Sequence, residues 1–368
     1  MDPVTGNLVH HETLGRLIRS GDWVQLSEGT LPLILRILAD GDAKGAAELA
    51  GFFRSEMQVV YDIYTQWFRD TRRYLLDHGM SAGRLAQHEQ MIVGKLLPFH
   101  STLANNRART WADISALLDL FSDHTLPEKA KGVALQNAAD LWRDLHDSEV
   151  DWLSGLFHLI VTEHGEPALR DMYEGWVIGD WFASRYQRFD ISKMPWETAQ
   201  WLLIYLGFEG HHGHLSGTER DGTIEVSEDD EKVTISFAPC GSGGRSMEGE
   251  KRDDLPPLSA EPFDWPELQD PHDFTWNETG ICGYCAHCCI LHETLPIAAF
   301  GYPVRVTHPP KAPLSGASRC SWTVYKDLRA VPDWAYARVG AVKPPAHAPL
   351  GSSTRSERAR IMAEADHA

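Results

Sequence analysis

The residues best suited to chemistry in this sequence are its cysteines. The run Cys282-Gly-Tyr-Cys285-Ala-His287-Cys288-Cys289 sets three thiols at two-residue intervals. Such a turn lets neighbouring sulfurs converge on one ion, at roughly 2.3 Å for zinc. Cys240 offers a further thiolate, and His287 and His292 offer imidazoles, so a site of four cysteines, or of three and a histidine, can be assembled. The expected ligands are Cys240, Cys282, Cys285 and Cys288, and the expected ion is Zn2+. An iron–sulfur cluster is the alternative, because Cys282, Cys285 and Cys288 match the first three positions of a ferredoxin run, with His292 in the fourth. Adjacent side chains diverge on a helix, so Cys289 reads as core.

Around this cluster stand residues that could bind or activate a molecule. Pro239-Cys240-Gly-Ser-Gly-Gly-Arg245 is a glycine-rich turn with one cation. The amides of Gly241, Ser242 and Gly243 suit a carboxylate or another anion, with Arg245 as its charge partner. The plainer alternative is that the glycines permit a tight turn around the metal. Spacing excludes a dinucleotide fingerprint. Of His211, His212 and His214, the last lies nearest the strand leading to Cys240, and it joins Arg245 and His287 as the expected catalytic set. Trp276 and Tyr284, with Trp196, Trp201 and Trp265, supply aromatic surface for a flat or apolar small molecule. Asp62, His146 and Asp147 sit beside aromatic residues, where a shifted pKa would serve acid–base work. The simpler reading puts them on a helix surface, with Trp67 and Trp152 in the core.

Positioning these residues requires two kinds of architecture. From Leu31 to Gly207 apolar residues recur at helical spacing, as in Val60, Ile63, Tyr64, Trp67 and Phe68. Tyr61-Asp62, Trp67 and His78-Gly79 are echoed by His146-Asp147, Trp152 and His164-Gly165, which suggests two related hairpins or independent amphipathic helices. Each Gly after a histidine suits a helix C-terminus. Beyond a His and Gly loop at Gly210 to Gly217, Thr223 to Val226 and Val233 to Phe237 alternate as a hairpin. Leu291 to Phe300 follows as a short helix, then strands at Pro303 to Thr307 and Ser321 to Tyr325. The fold class is therefore α+β. An all-helical domain over 1–215, with a possible duplication, precedes a small antiparallel metal-binding domain over 216–330 and a partly disordered extension over 331–368.

Composition bounds the partners. The chain of 368 residues carries a net charge of -18, and no basic run is interleaved with aromatics, which excludes nucleic acid. No stretch approaches the roughly 20 apolar residues of a membrane span. Five of the 6 cysteines lie between Cys240 and Cys289, whereas a disulfide framework would spread them. This places the protein in the cytoplasm with a small-molecule ligand or substrate, and leaves a homo-oligomer open.

The segment from Cys288 through Leu295, Ala299, Phe300-Gly301, Val304 to Thr307 and Cys320 to Tyr325 resembles the end of a 4-vinyl reductase type small-molecule-binding domain. There a helix, a glycine, a strand and a cysteine-marked final strand follow in that order. It is also distantly similar to L-2-amino-thiazoline-4-carboxylic acid hydrolases. The sequence departs from the first family in having His308-Pro309-Pro310 where a cysteine is expected, so no metal role is carried over to Cys320. The expectation from residues and resemblance together is a zinc-dependent enzyme hydrolysing a C–N or C–S bond in a small polar or aromatic molecule. The rivals are a binding or sensor protein with structural zinc and an iron–sulfur redox protein.

Overall fold

The computed structural model describes residues 7–237, 239–314 and 320–351. The chain opens with an antiparallel hairpin, β1 (Leu8–His11) and β2 (Arg16–Arg19), turned at Gly15 with φ +63°. This departs from the all-helical expectation. Helices α1 (Trp23–Ser27), α2 (Thr30–Ala39), α3 (Ala43–Asp77), α4 (Ala82–Leu96), α5 (Arg107–Asp119) and α6 (Glu128–His164) follow. Then come α7 (Pro167–Met172), a π-helical turn at Tyr173–Val177, α8 (Gly179–Tyr186) and α9 (Trp196–Gly213).

The frame is set by α3 and α6, of 35 and 37 residues. Apolar residues of α3 recur at three and four positions, burying Leu49, Phe53, Met57, Val60, Tyr64 and Trp67 along one stripe. Asp42 caps its start by accepting from the Gly45 amide. Both helices end at the predicted glycines, Gly79 with φ +96° and Gly165 with φ +82°, a conformation that side chains resist. The His78 and His164 rings stand 6.0 Å apart, so the two repeated sequence copies end side by side.

The second part is a four-stranded antiparallel sheet ordered β3 (Glu225–Glu228), β4 (Lys232–Phe237), β6 (Cys320–Tyr325), β5 (Val306–His308). Burial alternates along β4, with Val233, Ile235 and Phe237 inward. Phe237 lies opposite Cys320, so the end of β4 meets the start of β6. Between these strands lie α10 (Gly243–Glu248), α11 (Ala286–Cys289), a π-helical turn at Ile290–Thr294 and α12 (Leu295–Phe300). Pro296 falls in the first turn of α12, where a missing N–H is harmless.

The main core runs without a break from helical residues such as Leu153 to sheet residues such as Ile235 and Val324. Helix α13 (Asp333–Ala337) buries Ala335 and Tyr336 against Val306 of the edge strand. Residues 352–368, including Arg355 to Ala365, lie outside the described residues. Among the described residues no helix is long and apolar enough to cross a membrane.

Candidate active site

The centre of α6 is unusual for a surface helix because its charged residues are inside. Asp144, Asp147 and Asp151 follow at intervals of three and four and so share one face. His100 bridges the outer two, with Nδ1 3.0 Å from Asp144 Oδ1 and Nε2 2.9 Å from Asp151 Oδ2. Arg245, fully buried, donates from both Nη atoms to the carboxylate of Asp151. Arg220 donates to Asp147 Oδ1 at 2.8 Å and to Glu250 Oε2 at 2.8 Å. Burial alone would raise the Asp147 carboxyl, but Arg220 and Arg245 outweigh it and hold it well below the ordinary carboxylate range.

Burial likewise opposes the charge on His100, yet hydrogen bonds to Asp144 and Asp151 raise its pKa from 6.5 to about 9, against Arg245. A raised histidine contributes stability in full below its unfolded pKa of about 6.5 and loses it as pH climbs through about 9. Asp144 and Asp151 are depressed, so their contribution is lost in acid instead. Buried Glu56, raised from 4.5 to about 8, adds to the alkaline loss. The denaturation midpoint is expected to fall as pH rises from 6.5 to about 9, and His100→Gln should flatten that fall. An unchanged slope in the variant would remove His100 from the account.

Asp147 continues into a second chain of contacts. Asp147 Oδ1 accepts from His146 Nδ1 at 2.7 Å, which leaves His146 Nε2 as an acceptor. His146 Nε2 lies 2.8 Å from His214 Nδ1, so His214 donates there and its own Nε2 keeps a lone pair. Tyr64 OH lies 3.1 Å from His146 Nε2 and 3.1 Å from Tyr284 OH. Ser242 Oγ is 3.3 Å from His214 Nδ1. Burial holds His214 well below the ordinary imidazole pKa, with His146 adding to the effect. It is therefore neutral at neutral pH, with the lone pair of Nε2 available to accept a proton. Helix α9 delivers it: His214 is the C-cap, and Trp142 of α6 donates to the Gly213 carbonyl at 2.7 Å. A Cβ on Gly213 would sit 2.8 Å from the Glu56 carbonyl, so glycine permits this approach of α9 to α3.

His214 opens on a cavity of about 520 Å³ between α3, α8, α9 and the sheet. Its apolar walls include Val60, Ile63, Trp67, Trp181, Phe189 and Leu291. Among its basic residues Arg16 is paired with Glu209, but Arg185, Arg188 and Arg305 have no carboxylate partner within ion-pair distance among the described residues. Arg305 is 6% exposed, lies over the Trp322 ring and spends one Nη on the Leu203 carbonyl. Among the described residues Arg305 Nε, Trp181 Nε1 and Trp322 Nε1 are buried without acceptors. His211 Nδ1 lies 2.8 Å from Ser216 Oγ, and its Nε2 is buried with no partner among the described residues. Burial pushes the Glu56 carboxyl up to about 8, which weakens it as a countercharge. In a chain of net charge -18 the cavity is thus locally positive and rich in unused donors.

The residues singled out from sequence scatter around this site. His214, His287 and Tyr284 line the cavity, as do His211 and His292. His287 Nδ1 donates to the Tyr284 carbonyl, leaving Nε2 3.4 Å from Cys288 Sγ. Ser242 touches the relay. Arg245, expected to meet a substrate anion, is instead consumed by Asp151 from α6. Gly241 and Gly243 present no open anion nest, because they pack against the His214 carbonyl and the Cys285 sulfur. Trp276 is buried elsewhere, donating to Glu293 Oε1 at 2.8 Å. Trp196 and Trp201 bond Tyr325 and stack on His11, while Trp265 lines a separate pocket of about 150 Å³. His211 and His212 belong to α9 rather than to a loop, and Asp62 is exposed beside Gln58. Tyr64, Tyr186 and Arg305 were missed, since aromatic and basic residues at helix or strand spacing carry no mark of a cavity.

The thiols gather next to the site. Cys282 and Cys285 Sγ are 2.9 Å apart, closer than the ~3.8 Å that two ligands of one tetrahedral zinc require. Among the described residues no three Cys, His, Asp or Glu side chains converge on one ion as they stand. Cys289 is core, its Sγ directed to the Asp273 carbonyl. His292 Nδ1 pairs with Tyr186 OH at 2.9 Å rather than with a thiol. No family model, curated protein or solved structure matches the chain.

Proposed function

We propose that this chain is an enzyme that binds a small anionic aromatic or heterocyclic molecule in the large cavity and hydrolyses a C–N or C–S bond, with His214 as acid and base. The observation that carries this reading is the ending of the Asp147, His146 and His214 chain at the wall of a cavity whose Arg185, Arg188 and Arg305 have no carboxylate partner among the described residues. His214 Nε2 takes a proton from water as the oxygen attacks the electrophilic carbon. Its Nδ1 proton shifts toward His146 Nε2, so the positive charge comes to rest beside Asp147. The proton returns to the departing nitrogen or sulfur. Arg305 holds the carboxylate of the substrate, and Trp67 and Trp181 enclose its ring.

A binding or sensor protein is the second reading, favoured by the extent of apolar wall. A panel of small carboxylated amides, thiazolines and related heterocycles separates the two. Consumption of one compound is expected, with Arg305→Gln raising KM by roughly ten- to 100-fold, the equivalent of a lost charge-assisted bond. Binding of the panel with no turnover would replace the enzyme by the sensor. No binding at all would end the assignment of the cavity.

A further inference from the structure

Outside the large cavity, one pair of nucleophilic side chains is already in contact. Cys282 and Cys285 are free thiols separated by Gly-Tyr, and their Sγ atoms lie 2.9 Å apart. The Cys285 amide donates to the Cys282 carbonyl at 2.9 Å, closing a four-residue turn. Such a turn keeps its first and last Cα atoms within roughly 7 Å, the span that an S–S bond can bridge. The two sulfurs differ in their surroundings. Cys282 is half-buried and lines the small pocket of about 150 Å³, whereas Cys285 is buried and takes no part in that wall. The Cys285 amide also points at Cys282 Sγ, at 3.2 Å, so negative charge that develops on this sulfur meets a donor. Gly243 passes over the pair on another side. A Cβ there would overlap Cys285 Sγ and fall 3.1 Å from Cys282 Sγ, so glycine permits this approach of the chain to both sulfurs.

The pocket sets what can reach Cys282. Phe157, Leu169, Met247 and Trp265 give it apolar walls, its carboxylates are Glu166 and Glu267, and among the described residues no lysine or arginine lines it. Such walls disfavour an anion. We propose that Cys282 and Cys285 are a thiol–disulfide exchange pair that reduces a small uncharged disulfide entering this pocket, with Cys282 attacking and Cys285 resolving. At about 150 Å³ the pocket lies below the roughly 300 to 1,000 Å³ of sites for drug-sized ligands, so the substrate is small. The Cys282 thiolate attacks one sulfur of R–S–S–R, and R–S⁻ leaves with the electron pair of the broken bond and takes up the proton that Cys282 lost. Cys285 then gives up its proton and attacks Cys282 Sγ, which forms the internal S–S bond and releases the second group as R–SH. One disulfide is reduced to two thiols and one dithiol is oxidised, so a single turnover needs no other reactant. The inference does not depend on the cavity reading, because it concerns a bond between two sulfurs and not turnover in the large cavity.

For the test, the reduced full chain is freed of reductant under anaerobic conditions and mixed with 2-hydroxyethyl disulfide. About one internal disulfide per chain should form as two equivalents of 2-mercaptoethanol appear, and peptide mapping should place the bond between Cys282 and Cys285. Dithiodiglycolate, a disulfide carrying two carboxylates, should react at least ~tenfold more slowly. Cys285→Ser should stop at a mixed disulfide on Cys282, and Cys282→Ser should release thiol at least ~tenfold more slowly than the parent. Cys288→Ser and Cys289→Ser should match the parent. No internal bond in the parent, or a bond mapped to another pair, would overturn the exchange pair, and that measurement needs no variant to fold. Equal rates for the two disulfides would remove the pocket from the route. Zinc or iron held by the purified chain, and lost in both Cys282→Ser and Cys285→Ser, would replace exchange by metal binding.

Discussion

Replacing His214 by alanine is expected to lower turnover by about 100-fold or more while leaving substrate affinity within a few fold. The asymmetry follows from position. His214 contributes one ring to a large cavity but holds the only lone pair that the relay exposes there. His146→Gln should produce a loss of similar size, because it interrupts the path from His214 Nδ1 to Asp147. Asp147→Asn should keep the shape and remove the charge that favours a proton on His146. Since burial places the His214 pKa well below 6.5, the base is already neutral at pH 6.5, and the acid limb of kcat/KM should fall below that value. Measuring kcat and KM separately decides the matter. If His214→Ala turns over the identified substrate at the parental rate, the base lies elsewhere.

Asp151→Ala is expected to be the most destabilising single change in the polar interior, at about 3 to 5 kcal/mol. Asp151 is fully buried and accepts from both His100 and Arg245, and Arg245 is itself fully buried. Removing the carboxylate leaves a buried guanidinium with the Asp147 carboxylate at 3.8 Å, already shared with Arg220, and the neutral Asp147 carbonyl and Ser246 hydroxyl. Removing both charges differs in kind. Asp151→Ala combined with Arg245→Met should recover a large part of the loss, because the stranded cation is gone. Denaturant unfolding of the two singles and the double gives the coupling. A cost below about 1 kcal/mol for Asp151→Ala, the range of a surface pair, would mean that water reaches Arg245.

The long helices and the sheet were legible in the sequence because their apolar residues repeat at one period and only one burial pattern satisfies them. Leu49 to Trp67 and Val233 to Phe237 show this. The N-terminal hairpin was not, because Leu8 to Arg19 mixes histidines, arginines and apolar residues without strict alternation, and the strands pair mainly with each other. The glycine-rich turn was read as open because neighbours in sequence were all that could be seen. What closes it, Asp151, lies 94 residues away. His214 stands out in the sequence through its closeness to the strand that leads to Cys240, and it lies in the cavity wall. Its partners were not, because polar residues at Asp144, His146, Asp147 and Asp151 look like a solvated face until His100, Arg220 and Arg245 arrive from other elements to satisfy them. The cysteine spacing showed that Cys282 and Cys285 would lie close, but it could not show that their sulfurs stand only 2.9 Å apart.

Tyr284 stands in the wall of both the large cavity and the small pocket that reaches Cys282. One phenol ring is therefore a partition with an occupant's space on each side. A molecule that shifts the ring on entering one chamber changes the work of filling the other, and thermodynamic reciprocity makes that factor identical in both directions. Two ligands that never touch would then report on one another through a single side chain, and their binding curves, measured together, would not be independent.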